Sequence, residues 1–344
     1  MNRDLSDPAY GPHALQVLLS DVLDALPGDV RVLRDHPDVS IDDNYTNLGY
    51  PPDSVTRNAR YTRYTTPGRM LRSHTTAMIP PALRLLGVTD DWDDVLLACV
   101  GAVYRRDQVD RVHSGTPHQL DLWRISHSRR SLAELVDVVV TTALPGVRYR
   151  TTPAVHPYTT EGVQVDVLVD GEWLEIAEGG LAARHVLDRA WLPSTAHGLA
   201  LGLGLDRLLM VRKGVPDIRL LSSSEPRVAE QMLDLSPYRV VSRHPAVARD
   251  ISVAVDPAHD VETLGDLLRD AVGDLVEEVV VLDETPVSAL PAAAVTRLGA
   301  APGHKNVLLR LVLRHPTRTL TDEEANTARD AAYAAVHEGS HPLR

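Results

Sequence analysis

The sequence predicts an α+β fold in two units, and three observations predict it. Strand-like apolar segments recur at 95–104, 119–125, 163–168 and 173–177, with amphipathic or apolar helical stretches before and after them. Between the last two strands stands Val169-Asp170-Gly171-Glu172, an Asp-Gly turn of the kind that joins antiparallel partners. From about Pro237 the order changes to strand, helix, strand, strand, helix, which suits a small ferredoxin-like domain. The expected division is 1–235 and 236–344.

In order, residues 13–26 read as an amphipathic helix, with Leu15, Leu18, Val22 and Leu26 at helical spacing. Residues 36–68, rich in Pro, Asn, Asp, Tyr and Thr, read as a long irregular loop. A helix is expected from about 75 to 86, interrupted by Pro80-Pro81. The apolar, Gly-punctuated segment 198–211 reads as a strand entering a buried helix. In the second unit, strands are expected at 251–255, 276–282 and 307–313, and helices at 261–272 and 321–336. Thr321-Asp-Glu-Glu324 forms a capping box for the last helix. Residues 284–304, rich in Pro, Ala and Gly, read as a long mobile loop.

Composition narrows the function. With 47 acidic and 35 basic residues the net charge is −12, so a phosphate-binding surface has to be a local patch. The single cysteine, Cys99, excludes an internal disulfide and a multi-Cys zinc site; it reads as a small buried apolar residue. No stretch of about 18 apolar residues exists, so no membrane partner is expected. The start carries neither an apolar signal core nor transit-peptide composition, and a cytoplasmic protein is the expectation. The chain contains no Phe at all, where about a dozen are usual for 344 residues.

Two segments carry chemistry. Tyr104-Arg105-Arg106-Asp107, followed by His113 and by His118-Gln119-Leu-Asp121, places cations and imidazoles between two strands. Such a hairpin can set a guanidinium against a phosphate while the next strand offers carboxylate and amide groups to an ammonium. A solvated charged hairpin is the plain alternative. Gly202-Leu-Gly-Leu-Asp-Arg207-Leu sets one Arg into an apolar segment, where it needs an anion or a structural carboxylate.

In their order these segments resemble the class II aminoacyl-tRNA synthetases, and within them the single-chain, organelle-like phenylalanyl-tRNA synthetases. The resemblance rests on Arg72-Ser-His74-Thr-Thr76, on 103–110 with His118-Gln119, on Trp173-Leu-Glu175, and on Gly198 to Arg207 running into Gly214-Val-Pro-Asp217. It continues in Ser242-Arg243-His-Pro and Arg314-His-Pro-Thr-Arg318-Thr-Leu-Thr, and covers about 36–340. It implies an antiparallel sheet flanked by helices, a C-terminal ferredoxin-fold anticodon-binding domain, and an ATP-dependent ligase that acts on tRNA without a separate β chain. It implies Arg105 on the α-phosphate, Arg207 on the γ-phosphate side, and Asp107 and His113 near ATP, with Glu175 holding Mg²⁺. It implies His74, Thr76, Gln119 and Asp121 on the amino acid's ammonium and carboxylate. His156, Tyr158, Glu178 and Ala200 would border its aromatic side chain, and Arg243, Arg249, Arg314 and Arg318 would meet tRNA.

The departures matter as much. The family's Phe-Pro-Phe reads His156-Pro157-Tyr158, the aromatic before His-Gln is Pro117, and a family Gly has become Glu178. Asp121 is one methylene shorter than the usual Glu. Phe avoidance accounts for Tyr158, Leu199 and Leu201, but not for His156 or Glu178. A buried His and Glu are costly unless paired with each other or with a polar substrate group. The expectation is therefore activation of phenylalanine or an aromatic analogue, with a Phe-free composition suited to a resistance or rescue copy. An aromatic-amino-acid-activating enzyme of a biosynthetic pathway, and a non-catalytic relic that binds tRNA or an amino acid, are the alternatives. From Ser236 onward the chain carries 11 Lys/Arg against 16 Asp/Glu, which is sparse for a tRNA-binding module.

Overall fold

The computed structural model describes residues 3–59, 61–89, 92–104, 111–112, 115–224, 226–240, 244–315 and 317–341. They divide into two compact units. The first gathers 3–104, 116–216 and 229–238, and the second gathers 217–228 and 239–341 with Arg111, Val112 and Gly115.

The first unit opens with helix α1 (Ala14–Ala25), strand β1 (Asp29–Leu33), a short pair β2 (Asp38–Ser40) and β3 (Arg69–Leu71), and the four-residue α2 (Ile41–Asn44) between that pair. Then come α3 (Ile79–Thr89), β4 (Asp94–Ala102), β5 (His118–Ser126), α4 (Leu132–Ala143), β6 (Tyr149–Pro153), β7 (Thr159–Val169), β8 (Glu172–Ala182), α5 (Arg184–Arg189), β9 (His197–Gly204) and α6 (Leu205–Lys213). Seven strands form one sheet in the order β1-β4-β5-β9-β8-β7-β6. Only β1–β4 is parallel, so this is the antiparallel-rich sheet the sequence implied. Asp170 and Gly171 both take positive φ (51° and 89°) in the β7–β8 hairpin, as a primed two-residue turn requires. Helices α1, α4 and α6 lie on one face, where Leu120 and Leu122 are buried. The other face packs α3 and α5 over Leu97, Cys99, Trp123 and Ala200.

Two expectations need correction here. Pro80 and Pro81 do not interrupt a helix. A 3-10 turn (Thr75–Met78) precedes them, and they sit in the first turn of α3, where the missing N–H groups have no intrahelical acceptor to lose. The stretch 36–68 is not wholly irregular: besides β2 and α2 it forms two 3-10 turns, and Tyr64 bridges Met70.

The second unit contains α7 (Pro226–Ala229, whose last residue falls in the first), β10 (Val247–Val255), α8 (Val261–Val272), β11 (Val276–Pro286), α9 (Ala292–Leu298), β12 (Lys305–Leu313) and α10 (Asp322–Val336). Its antiparallel sheet runs β10-β12-β11, with α8 and α10 packed together over Ile251, Val253, Leu309 and Leu311. The capping box at Thr321 and Glu324 forms in both directions. The stretch 284–304 is ordered rather than a bare loop. β11 runs on to Pro286, and Pro291 leads into α9, which Gly299 closes in the left-handed conformation.

Candidate active site

On the α3 face of the large sheet a row of small residues on β9 runs between larger side chains of β5 and β8, an arrangement termed the trough, and strand alternation explains its floor. Residues directly opposite on antiparallel strands share a face. On β9 that face presents Gly198, Ala200, Gly202 and Gly204, all small. Their partners across the sheet form its walls. Gln119 stands opposite Gly204, Asp121 opposite Gly202 and Trp123 opposite Ala200 on β5, while Glu178 faces Gly202 and Gly180 faces Ala200 on β8. On β8 no side chain fits at Gly180, because a Cβ there would stand 2.8 Å from both Thr159 Cβ and the Thr160 carbonyl oxygen.

Asp121 is the most buried charge in the trough, at 4 % exposure. Its Oδ1 accepts from Trp123 Nε1 at 2.9 Å, and its Oδ2 accepts from the Thr76 hydroxyl. Burial pushes its carboxyl up to about 6, against the opposing pull of those two donors and of His156. Gln119 Oε1 accepts from the Thr75 N–H at 3.2 Å, which ties the 3-10 turn after His74 to the strand. The His74 ring stacks on Tyr50 (5.9 Å between centroids) and meets Tyr45 edge-on. Tyr158 tilts against both Tyr50 and Trp123, at 6.3 and 6.1 Å. Thus His74, Thr76, Gln119, Asp121, Tyr158 and Ala200 do come together.

His156 and Glu178 lie in the same place and are paired with each other. His156 Nε2 meets Glu178 Oε2 at 3.0 Å, and the His156 ring stacks on Tyr158 at 5.7 Å. The bond to Glu178 raises the pKa of the imidazole. The Arg184 guanidinium is taken by Asp188 and the carbonyls of Leu192, Pro193 and Ala196.

At the Gly204 end stand Glu175 and Arg207. A register shift between Val165 and Asp166 places two β8 steps against one on β7 and sets Glu175 opposite Asp166. Without that bulge, period-2 alternation from Glu178 would turn Glu175 to the opposite face. Arg207, in the first turn of α6, donates to the Glu175 carbonyl at 2.7 Å, and the Glu175 carboxylate lies 3.9 Å away. Glu175 is 45 % exposed at its side chain and Arg207 21 %. Asp206, next to it, faces away: its Oδ1 meets His118 Nδ1 at 2.9 Å and its Oδ2 accepts from the His118 N–H. Arg105, Asp107 and His113 lie outside the described residues, as does Arg243.

In the second unit the other three arginines are engaged with acidic side chains. Arg249 bonds Asp322 and Asn326, Arg314 bonds buried Glu277, and Arg318 bonds Glu324. Two trough residues escaped sequence reading. Trp123 had a signal, since it continues the alternation of Gln119 and Asp121. Tyr50 had none, being brought in from a stretch without periodicity.

The described residues contain no cluster of three or more His, Cys, Asp or Glu able to hold a metal ion by themselves. Glu175 nonetheless fits the usual mode of Mg²⁺, which takes one or two carboxylates together with substrate phosphates.

Comparison with known proteins gives two family matches. "tRNA synthetases class II core domain (F)" matches residues 31–232, and "Ferredoxin-fold anticodon binding domain" matches 242–341. Among relatives, a probable mitochondrial phenylalanine--tRNA ligase of Drosophila melanogaster is 26 % identical over 353 residues, covering 85 % of this chain and 74 % of that one. The chloroplastic/mitochondrial phenylalanine--tRNA ligase of Arabidopsis thaliana is 27 % identical over 310 residues, covering 84 % and 67 %. The phenylalanine--tRNA ligase alpha subunit of Prochlorococcus marinus (strain MIT 9313) is 32 % identical over 241 residues, covering 66 % and 69 %.

Proposed function

Because the chain belongs to the class II tRNA synthetases, whose core matches 31–232, we propose that it is an ATP-dependent phenylalanine--tRNA ligase whose amino-acid site is the trough over Ala200, Gly202 and Gly204. The observation that carries the siting is the arrangement of Gln119, Asp121 and Trp123 along one wall, with Thr76 bonded to Asp121 and Arg207 at the far end.

Asp121, Gln119 and Thr76 hold the amino acid's ammonium, and Tyr158, Trp123 and Ala200 receive its ring. The substrate carboxylate then lies toward Gly204, the direction of Arg207. Its oxygen attacks the α-phosphorus of ATP, a P–O bond forms, the bond to pyrophosphate breaks, and the aminoacyl adenylate results. Arg105 and Arg207 offer positive charge to the phosphate oxygens as charge builds on them, the kind of fixed electrostatic support that dominates phosphoryl and nucleotidyl transfer. Glu175 would hold Mg²⁺ together with the phosphates, and the ion would supply charge neutralisation to them. A ribose hydroxyl at the 3′ end of the tRNA then takes the acyl group and releases AMP.

The 242–341 match to an anticodon-binding domain supports tRNA as the partner of the second unit. Arg243, Arg249, Arg314 and Arg318 supply the phosphate contacts; each guanidinium has five donors, so an ion pair leaves donors to share. We also propose that this single chain works without a β subunit. Amino-acid-dependent ATP–pyrophosphate exchange, followed by charging of tRNA, tests the reading. Exchange with no aromatic amino acid would overturn it.

The absence of Phe favours a further role in timing: synthesis of this chain does not consume charged phenylalanine tRNA. A rescue or resistance copy needs that independence. Translation of the natural message and of one carrying a dozen Phe codons, with the housekeeping ligase inhibited, tests it. Equal yields would count against the role.

A further inference from the structure

The trough has a polar wall that the ligase reaction itself does not require. Asp121, Gly202 and Glu178 lie in one row across β5, β9 and β8, so the two carboxylate-bearing residues face each other across a glycine. Two inter-strand spacings separate their backbones, roughly 9–10 Å. That separation leaves room for an aromatic ring between the two side chains. With its ammonium held by Asp121 and Thr76, a substrate whose ring lies toward Ala200 and Tyr158 turns its outer edge to His156 and Glu178.

That wall is chemically specific. His156 is held on two sides, by the Tyr158 ring at 5.7 Å and by Glu178 at 3.0 Å. Its Nδ1 stands 3.5 Å from the Thr159 hydroxyl. The Glu178 carboxylate has about four acceptor positions on its two oxygens, and His156 meets one of them. Its side chain remains 39 % exposed. The pair therefore holds a carboxylate in fixed geometry beside the trough, an acceptor by chemistry. A plain phenyl edge offers no donor, whereas a ring hydroxyl or ring amine does.

We propose that His156 and Glu178 form a specificity-determining pair, and that the chain activates aromatic amino acids carrying a hydrogen-bond donor on the ring in preference to phenylalanine. This rests on the ligase reading above and narrows its substrate class. Glu178 accepts the ring donor, and His156 positions Glu178.

The test is ATP–pyrophosphate exchange by the full chain with phenylalanine, tyrosine, 3-hydroxyphenylalanine and 4-aminophenylalanine, for the wild type and for Glu178→Gly, Glu178→Gln and His156→Phe. The wild type is expected to show a kcat/KM for at least one donor-bearing analogue that exceeds phenylalanine by roughly 10- to 100-fold, the worth of one hydrogen bond to a charged group. Glu178→Gly should lower that ratio by a similar factor, with Glu178→Gln in between. His156→Phe should lower it as well, through KM for the analogue. The three variants alter one wall differently, so thermal melting shows which of them remain folded for the comparison. Exchange that favours phenylalanine, or a ratio that no folded variant moves, would overturn the inference and leave the pair as a structural strut. Exchange with no aromatic amino acid would overturn the ligase reading itself, and the inference with it.

Discussion

Replacing Asp121 with Asn should stabilise the protein while disabling it. The Asp121 carboxyl is raised from 3.8 to about 6 because it is buried. A raised carboxyl means that the native state binds this proton more tightly than the unfolded chain does. The stability that the proton confers is fully present below the unfolded value and is lost as pH rises through about 6. At pH 8 the ionised side chain therefore costs the fold about 3 kcal/mol, since each factor of ten in proton affinity is worth about 1.4 kcal/mol. Asn is neutral throughout, and its amide can still accept from Trp123 Nε1 while donating to the Thr76 hydroxyl. Asp121→Asn should gain up to about 3 kcal/mol over the wild type at pH 8 and nothing below about pH 4. Urea unfolding followed by Trp fluorescence measures it, because all four tryptophans, at 92, 123, 173 and 191, belong to the first unit. A variant less stable at pH 8, or a difference that does not change with pH, would refute the account.

Other consequences follow from the same geometry. In the wild type, kcat/KM for the amino acid should fall below about pH 6 as Asp121 protonates, and Asp121→Asn should lack that acid limb. Arg207→Ala should reduce pyrophosphate exchange by roughly 10²–10³ in kcat, as loss of one fixed electrostatic donor does elsewhere, and an unchanged rate would remove Arg207 from the site. Gly180→Ala forces a Cβ against the Thr160 carbonyl and should destabilise the first unit by roughly 1–3 kcal/mol, seen as an earlier Trp transition. Thr321→Ala removes the cap of α10 and should cost about 1 kcal/mol, read as faster amide exchange in that helix with the Trp transition unmoved.

The sequence by itself determined many of the local elements, though not β1, α4, α5 or β6. The limits of α8 and the start of α10 are written in their caps and apolar spacing, and the β7–β8 turn in Asp170-Gly171. It also determined that Gln119 and Asp121 share a face, since strand alternation is local. Ordered segments were read as loops where apolar spacing was faint, as in α9 with its run of alanines. Only the tertiary structure decided what those residues meet. His156 and Glu178 are 22 positions apart, and their pairing depends on how the chain entering β7 packs over β8. Glu175 lies on the trough face only because a bulge shifts the β7–β8 register, and a bulge reflects the pairing of two strands rather than the composition of one. Tyr50 reaches His74 and Tyr158 from a segment with no periodicity. Local rules fix φ, ψ and side-chain direction within a turn or a strand. Contacts between distant segments are set by global packing, and the chemistry of this site lies in those contacts.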